Sequence, residues 1–309
     1  GYQISYMNSG KMTNKGWEFR VDAVPFQNKD WRVGVYFNIA HNENKITEMP
    51  DNYIEENYTF GNGNYAYRRE EGRPMGSFYG YRYKGVYQNK DATYARDIEG
   101  NVMKDISGNA IVMRNGSYTV APGDAIYEDV NHDGVINQYD IVYLGNSNPR
   151  LTGGAGLNVS YKQFKLSAIF YGRYGQDVVN ATRLNNESMR GIDNQSTAVL
   201  RRWRNEGDQT DIPRALYGEG YNTLGSDRFV EDASYLRLKS LSFTYRLPKK
   251  AIQRWGFNNI DVYVTGYNLF TWTKYTGQDP EVKTENTYAR DTATTPASIQ
   301  LVAGFNLSF

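Results

Sequence analysis

Within 309 residues the sequence carries a formal net charge of +1, 27 Tyr, 30 Gly, two His and no Cys. The near-zero charge argues against a nucleic-acid binder held by phosphate contacts, the missing Cys removes disulfides, thiol catalysis and Cys-ligated zinc, and two His leave little for a His-based metal centre or general base. No run of about 18 apolar residues exists, which excludes a helical membrane span, and an aromatic content of 15% suits β-structure with many turns rather than disorder.

The chain opens Gly1-Tyr2-Gln3, without Met or an apolar leader, and reads as the tail of something longer. From there the dominant signal is period two. Trp17, Phe19, Val21 and Ala23 oppose Glu18, Arg20 and Asp22. A short turn at 27–30 leads to Trp31, Val33, Val35, Phe37 and Ile39, which oppose Arg32, Gly34, Tyr36 and Asn38. Further on, Ala155, Leu157, Val159 and Tyr161 share a face, as do Phe164, Leu166, Ala168 and Phe170. The segment from Tyr235 to Leu247 changes phase, which predicts a bulge near Ser240. Ile260, Val262 and Val264 precede a last alternating run, Ile299 to Phe309.

These patterns predict about nine strands, at roughly 11–26, 31–48, 64–71, 76–88, 152–162, 164–179, 226–246, 258–275 and 298–309. Short turns fall at 27–30, 72–75, around 163 and at 247–257. Long polar loops fall at 49–63, 89–151, 180–225 and 276–297. Short turns at one end and long loops at the other describe a transmembrane β-barrel. The alternative is a soluble β-sandwich, whose apolar face would meet a second sheet. Several runs reach 12 residues, beyond the usual 5 or 6 of globular strands and sufficient for the 9–11 that a tilted membrane strand needs. Gly304, Leu307 and Phe309 give the Gly-x-x-apolar-x-aromatic ending read in outer-membrane assembly, with Val302 departing at the usual polar position.

One stretch carries cation chemistry. Asp129, Asn131 and Asp133 occupy positions 1, 3 and 5 of a twelve-residue loop, Gly134 position 6, the Val135 carbonyl position 7 and Asp140 position 12. Hard calcium prefers several oxygens, and this spacing wraps them round one point, as in an EF-hand loop. The twelfth residue is Asp instead of Glu, so its reach is shorter. The bland alternative is an Asx-rich surface turn. The pairs Glu70-Glu71 and Asp279-x-Glu281 read as solvated carboxylates. The run Ala198 to Arg204 reads as a short loop helix packing Leu200 and Trp203. Tyr79, Tyr81, Tyr83 and Tyr275 suit an interfacial aromatic girdle, and Tyr36 and Tyr171 a polar interior. No triad or matched acid/base pair emerges, so an enzyme is not expected.

Seven local sequences, in order, resemble one family. They are Asn14-Lys15-Gly16-Trp17-Glu18, Glu71 to Tyr81 (EGRPMGSFYGY), Pro122-Gly123-Asp124 with Asp129 to Asn137, Leu144 to Pro149 (LGNSNP), Tyr235 to Lys239 (YLRLK), Asn268 to Thr271 (NLFT) and Tyr275 to Glu281 (YTGQDPE). Together they resemble the C-terminal third of SusC/RagA-type TonB-dependent outer-membrane transporters of Bacteroidetes. The resemblance covers essentially all of residues 1–309. It implies an all-β fold, the last nine or so strands of a 22-stranded barrel with long extracellular loops. It also implies a plug and a TonB contact supplied outside this chain, a SusD-like surface lipoprotein as partner, and oligosaccharide or peptide as substrate. The alternative from a different class is a secreted or surface calcium-binding β-sandwich module.

Overall fold

The computed structural model describes residues 10–50, 63–66, 68–282, 284–285 and 288–309. Strands account for 48% of the described residues, and among these no helix is long and apolar enough to cross a membrane. Seven long strands form one sheet in chain order. They are β1 (Lys11–Gln27), β2 (Trp31–Glu48), β3 (Leu151–Tyr161), β4 (Phe164–Tyr174), β5 (Tyr235–Arg246), β6 (Asn259–Thr273) and β7 (Gln300–Ser308). All neighbours are antiparallel. The sheet is open, so the barrel is not closed within this chain.

Register converts the alternation of each strand into two continuous faces. One row runs Ala23, Val35, Leu157, Ala168, Leu241, Gly266, Leu301. The row on the other face runs Gly34, Asn158, Ser167, Ser242, Thr265, Val302. The apolar face has no cover among the described residues. Phe19, Phe37, Val264 and Phe305 are 53%, 45%, 51% and 67% exposed. A sandwich would bury these side chains against a second sheet, and the described residues supply none over this face.

The expected bulge is present. The register between β4 and β5 shifts between Ile169 and Phe170, opposite Ser240 and Leu238, and the β5–β6 register shifts between Leu238 and Ser240. The extra residue lets Leu236 and Leu238 share the apolar face with Leu241 and Phe243.

Two of the nine expected strands are not in this sheet. Within 64–71 the described residues contribute a single bridge, Ala66 to Tyr79. The 76–88 stretch splits into Ser77–Gly80, paired with Val142–Asn146, and Tyr83–Val86, paired with Ala125–Tyr127. Ser77, Phe78, Tyr79 and Gly80 are all buried. Burial on both faces is the mark of a small packed core, not of a wall with lipid on one side. The turn at 72–75 accordingly lies with the long loops. The loop expected at 49–63 falls mostly outside the described residues.

Candidate functional site: the loop layer and the polar sheet face

Three long connections, 49–150, 175–234 and 274–299, leave the same end of the sheet, and short ones at 28–30, 162–163 and 247–258 close the other. The long connections share cores. Tyr79, Tyr81, Tyr127 and Ile136 of the first pack with Tyr221 and Leu224 of the second. Val178 and Ala233 of the second pack with Tyr275 and Ala289 of the third. The Tyr79, Tyr81 and Tyr275 rings are therefore buried in the layer and are not a membrane girdle, and Tyr83 packs beside them. The aromatic belts lie on the sheet itself. Trp31 meets Tyr161 at 4.3 Å and Phe164 meets Tyr245 at 4.9 Å near the short turns. Trp17, Tyr174 and Trp272 lie toward the long loops, 50%, 60% and 52% exposed. Two aromatic rows bounding an apolar band are what interfacial rings prefer.

Polar groups fix how the loops meet. The Pro122-Gly123-Asp124 motif places a fully buried carboxylate between two connections. Arg214 Nε donates to Asp124 Oδ1 at 2.7 Å, and the Tyr118 hydroxyl donates to Oδ2 at 2.6 Å. Burial, then the hydrogen bond to Asp124, pushes the Tyr118 phenol up. Gly123 has φ of +89°, and a Cβ there would sit 2.3 Å from the Trp203 ring, so only Gly fits. The expected helix at 198–204 is a 3-10 turn, Thr197–Arg201. It buries Val199 and leaves Leu200 64% exposed.

The polar face is tied to the third connection. Arg237 on β5 is 3% exposed. Its Nε donates to Thr271 Oγ1 at 2.8 Å, its Nη1 to Glu281 Oε2 at 2.9 Å and its Nη2 to Asp279. Lys239 Nζ reaches the same Glu281 oxygen at 2.8 Å. The pair Asp279-x-Glu281 is thus not solvated but bound to two cations, in motifs that the sequence shows separately. Glu70 and Glu71 are also engaged: Glu70 Oε2 accepts from the Tyr79 hydroxyl at 2.8 Å and Glu71 Oε1 from the Met49 amide at 2.8 Å.

The five expected ligands lie along the twelve-residue loop, the last of them, Asp140, in the 3-10 turn Gln138–Asp140. Asp129 accepts from the Gly134 amide at 2.8 Å, and Asp133 from the Val135 amide at 2.8 Å. Gly134 has φ of +78°, the left-handed turn expected at position 6. Asp140 is fully buried, and its two oxygens accept from the Val130 and Asn137 amides at 2.8 Å each. Asn137 Nδ2 donates to the Val135 carbonyl at 3.1 Å. Among the described residues no three acidic or His groups converge as a ready-made metal cage. The scaffold turns and the oxygen-rich donor set fit a hard cation, with ligand atoms that still have to gather round it. Burial, with the neighbouring Asp129 and Asp133 charges adding to it, holds the Asp140 carboxyl above its ordinary value.

No family model matches the chain. Among curated proteins it is 32% identical over 293 residues to TonB-dependent receptor P3 of Formosa agariphila, covering 93% of this chain and 27% of that protein. It is 28% identical over 311 residues to TonB-dependent receptor SusC of Bacteroides thetaiotaomicron, covering 98% of this chain and 27% of that one. Among solved structures, the RagAB peptide transporter superposes with a TM-score of 0.73 at 28% identity, over 98% of this chain and 30% of the other. Over nearly its whole length the chain is similar to part of the SusC/RagA-type TonB-dependent receptors. It spans 27% of the length of the two curated receptors named.

The proteins named here are transporters and receptors, not enzymes. What sequence reasoning missed in this chain is the joining of Arg237 and Lys239 to Asp279 and Glu281, and of Asp124 to Arg214. The available signal was an Arg or Lys at a polar-face position within a short motif of the resemblance. Such a residue needs an anion, and only the fold supplies its address.

Proposed function

We propose that this receptor chain forms part of the wall and outer surface of an outer-membrane importer. The importer takes up oligosaccharide or peptide, is energised by TonB through parts outside this chain, and works with a SusD-like surface lipoprotein. The observation that supports this most is one sheet with two chemistries. An uncovered apolar face suits hydrocarbon, a polar face suits a water-filled interior, and the strands run from 9 to 18 residues. The solved neighbour is a peptide transporter. The test compares uptake of labelled oligosaccharides and peptides in wild-type cells, a receptor deletion and a TonB-deficient strain. Uptake of at least one class should require both genes. Unchanged uptake of every candidate, or a receptor that stays out of the outer-membrane fraction, would sink the proposal.

The edges follow from the same reading. Each unpaired backbone group in hydrocarbon costs several kcal/mol. Strand β7 therefore pairs, antiparallel, with a strand from outside these residues, and β1 gains a neighbour from the preceding part. In the intact receptor, Ser298→Cys should crosslink to a cysteine placed in that partner strand. Crosslinks formed only within this chain would count against a closed wall.

The loop at 129–140 is proposed to hold calcium through Asp129, Asn131, Asp133, the Val135 carbonyl and Asp140, and so to brace the first connection. Calcium competes with a proton on Asp140. Affinity should be full above that residue's raised value and fall as the pH drops through it. Without calcium the sign reverses. The folded loop then binds more protons than the unfolded chain over that window, and loop stability falls as pH rises. Calorimetric calcium titrations of receptor and Asp140→Asn between acid and neutral pH check both. Equal heats from the two proteins would remove the assignment.

A further inference from the structure

At the short-turn end of the polar face lies a cavity of about 600 Å³ whose lining is cationic. Arg32 and Lys165 flank Ser160 on neighbouring strands, in one row that continues to Thr244. Lys162 and Arg246 lie at the same end. Against these four cations the lining holds one carboxylate, Asp261. Arg246 already occupies it, Nε to Oδ1 at 2.7 Å and Nη2 to Oδ2 at 2.8 Å, and Lys165 bears on the same carboxylate through its charge alone. Among the described residues no carboxylate forms an ion pair with Arg32, Lys162 or Lys165. Lys162 sits instead 5.2 Å from the Tyr161 ring centroid. The remaining lining is neutral: Asn158, Gln163 and Asn306 amides and Ser160 and Thr244 hydroxyls, with Gly34 and Phe164 beside them.

The sheet is open, so this face becomes an interior only when other polypeptide closes round it. Enclosing unpaired cations is costly unless opposite charge arrives with the enclosing groups. The aligned part of this chain makes up 27% of the SusC receptor, so most of such a receptor lies outside it. We propose that Arg32 and Lys165 form a carboxylate-binding shelf that takes Asp or Glu side chains from the remainder of the same receptor polypeptide. The shelf is a latch between this sheet and the part that fills or closes the interior. It rests on the barrel reading above, because only in a closed wall is the shelf enclosed. The row geometry matches two acidic side chains, or one carboxylate shared by both cations across Ser160. The neutral donors round it satisfy the remaining oxygen lone pairs.

The test uses the intact receptor in outer membranes, with Ser160→Cys carrying a maleimide-benzophenone and mass spectrometry of the photoproduct. The expected product joins residue 160 to an acidic peptide of the same polypeptide outside these 309 residues. Most of it should be lost in the Arg32→Glu/Lys165→Glu pair and in the milder Arg32→Gln/Lys165→Gln pair. Reversing the mapped acid to Lys should restore it in the Glu pair. Product that persists undiminished in both pairs, product that forms only with added substrate, or no product at all would each overturn the latch. Membrane fractionation of the same samples separates the two failures. A receptor in the outer membrane without the product loses only the latch, and a receptor absent from that membrane loses the barrel reading.

Discussion

Replacing Val35 by Arg is expected to destabilise the folded receptor by about 2–4 kcal/mol, the cost of a cation on the lipid face near the bilayer midplane. Val35 lies on the uncovered apolar face, between Ala23 and Leu157 in its row. It is four residues from Trp31 and six from His41, so it sits inside the band between the two aromatic belts. In the proposed barrel, hydrocarbon at that depth would offer the guanidinium neither water nor a counter-ion. Ser242→Arg provides the control, since Ser242 lies in the polar row between Ser167 and Thr265, outside the cationic cavity. Equilibrium unfolding of the intact receptor from lipid vesicles measures both. A cost at Val35 no greater than at Ser242 would mean that the faces are assigned the wrong way round.

Arg237→Met is expected to cost about 3 kcal/mol and to free the third connection from the polar face. Removing one member of a buried ion pair leaves the other buried and uncompensated, which costs about 3–5 kcal/mol. The lower end applies because the Asp279 and Glu281 side chains keep 17% and 28% of their exposure and Lys239 still holds Glu281. The sheet should remain folded, because Met preserves the stem of the side chain. Limited proteolysis should cut within 274–299 faster while heat-modifiability is unchanged. A double-mutant cycle with Glu281→Gln should show coupling. Unaltered cleavage of that connection would show that Arg237 does not hold it.

The strands were legible because each has one wet and one apolar side, and period two holds on either side of each bulge. Trp31 to Ile39 and Phe164 to Phe170 could be read residue by residue. The failure at 64–71 and 76–88 has a physical cause. Phe78, Tyr79 and Tyr81 look like strand aromatics, but they fill a core from all sides, and local pattern does not distinguish the two. The loop parity gave no warning. Removing two consecutive strands from an up-and-down meander leaves every later turn at its original end. The charge pairs were illegible for another reason. Arg237 and Asp279 lie 42 residues apart, and Asp124 and Arg214 lie 90 apart. Each alone looks like an ordinary solvated charge. The twelve-residue loop was legible as a turn with Gly134 at its pivot, because the carboxylate-to-amide hydrogen bonds that shape it are local.

The sharing of cores among the three long connections bears on how such receptors diversify. The Ala125 amide donates to Asn222 Oδ1 at 2.8 Å and the Leu224 amide to the Tyr127 hydroxyl at 3.1 Å, each across 97 residues of sequence. A graft that exchanged only the first connection would orphan Asn222 and Arg214. One that exchanged only the second would strand a buried Asp124 carboxylate without its guanidinium. Uncompensated buried polar groups of that kind are heavily penalised. New outer surfaces in this lineage should therefore arise by recombination that carries the connections together, while single-loop chimeras fail at folding before their specificity is ever tried.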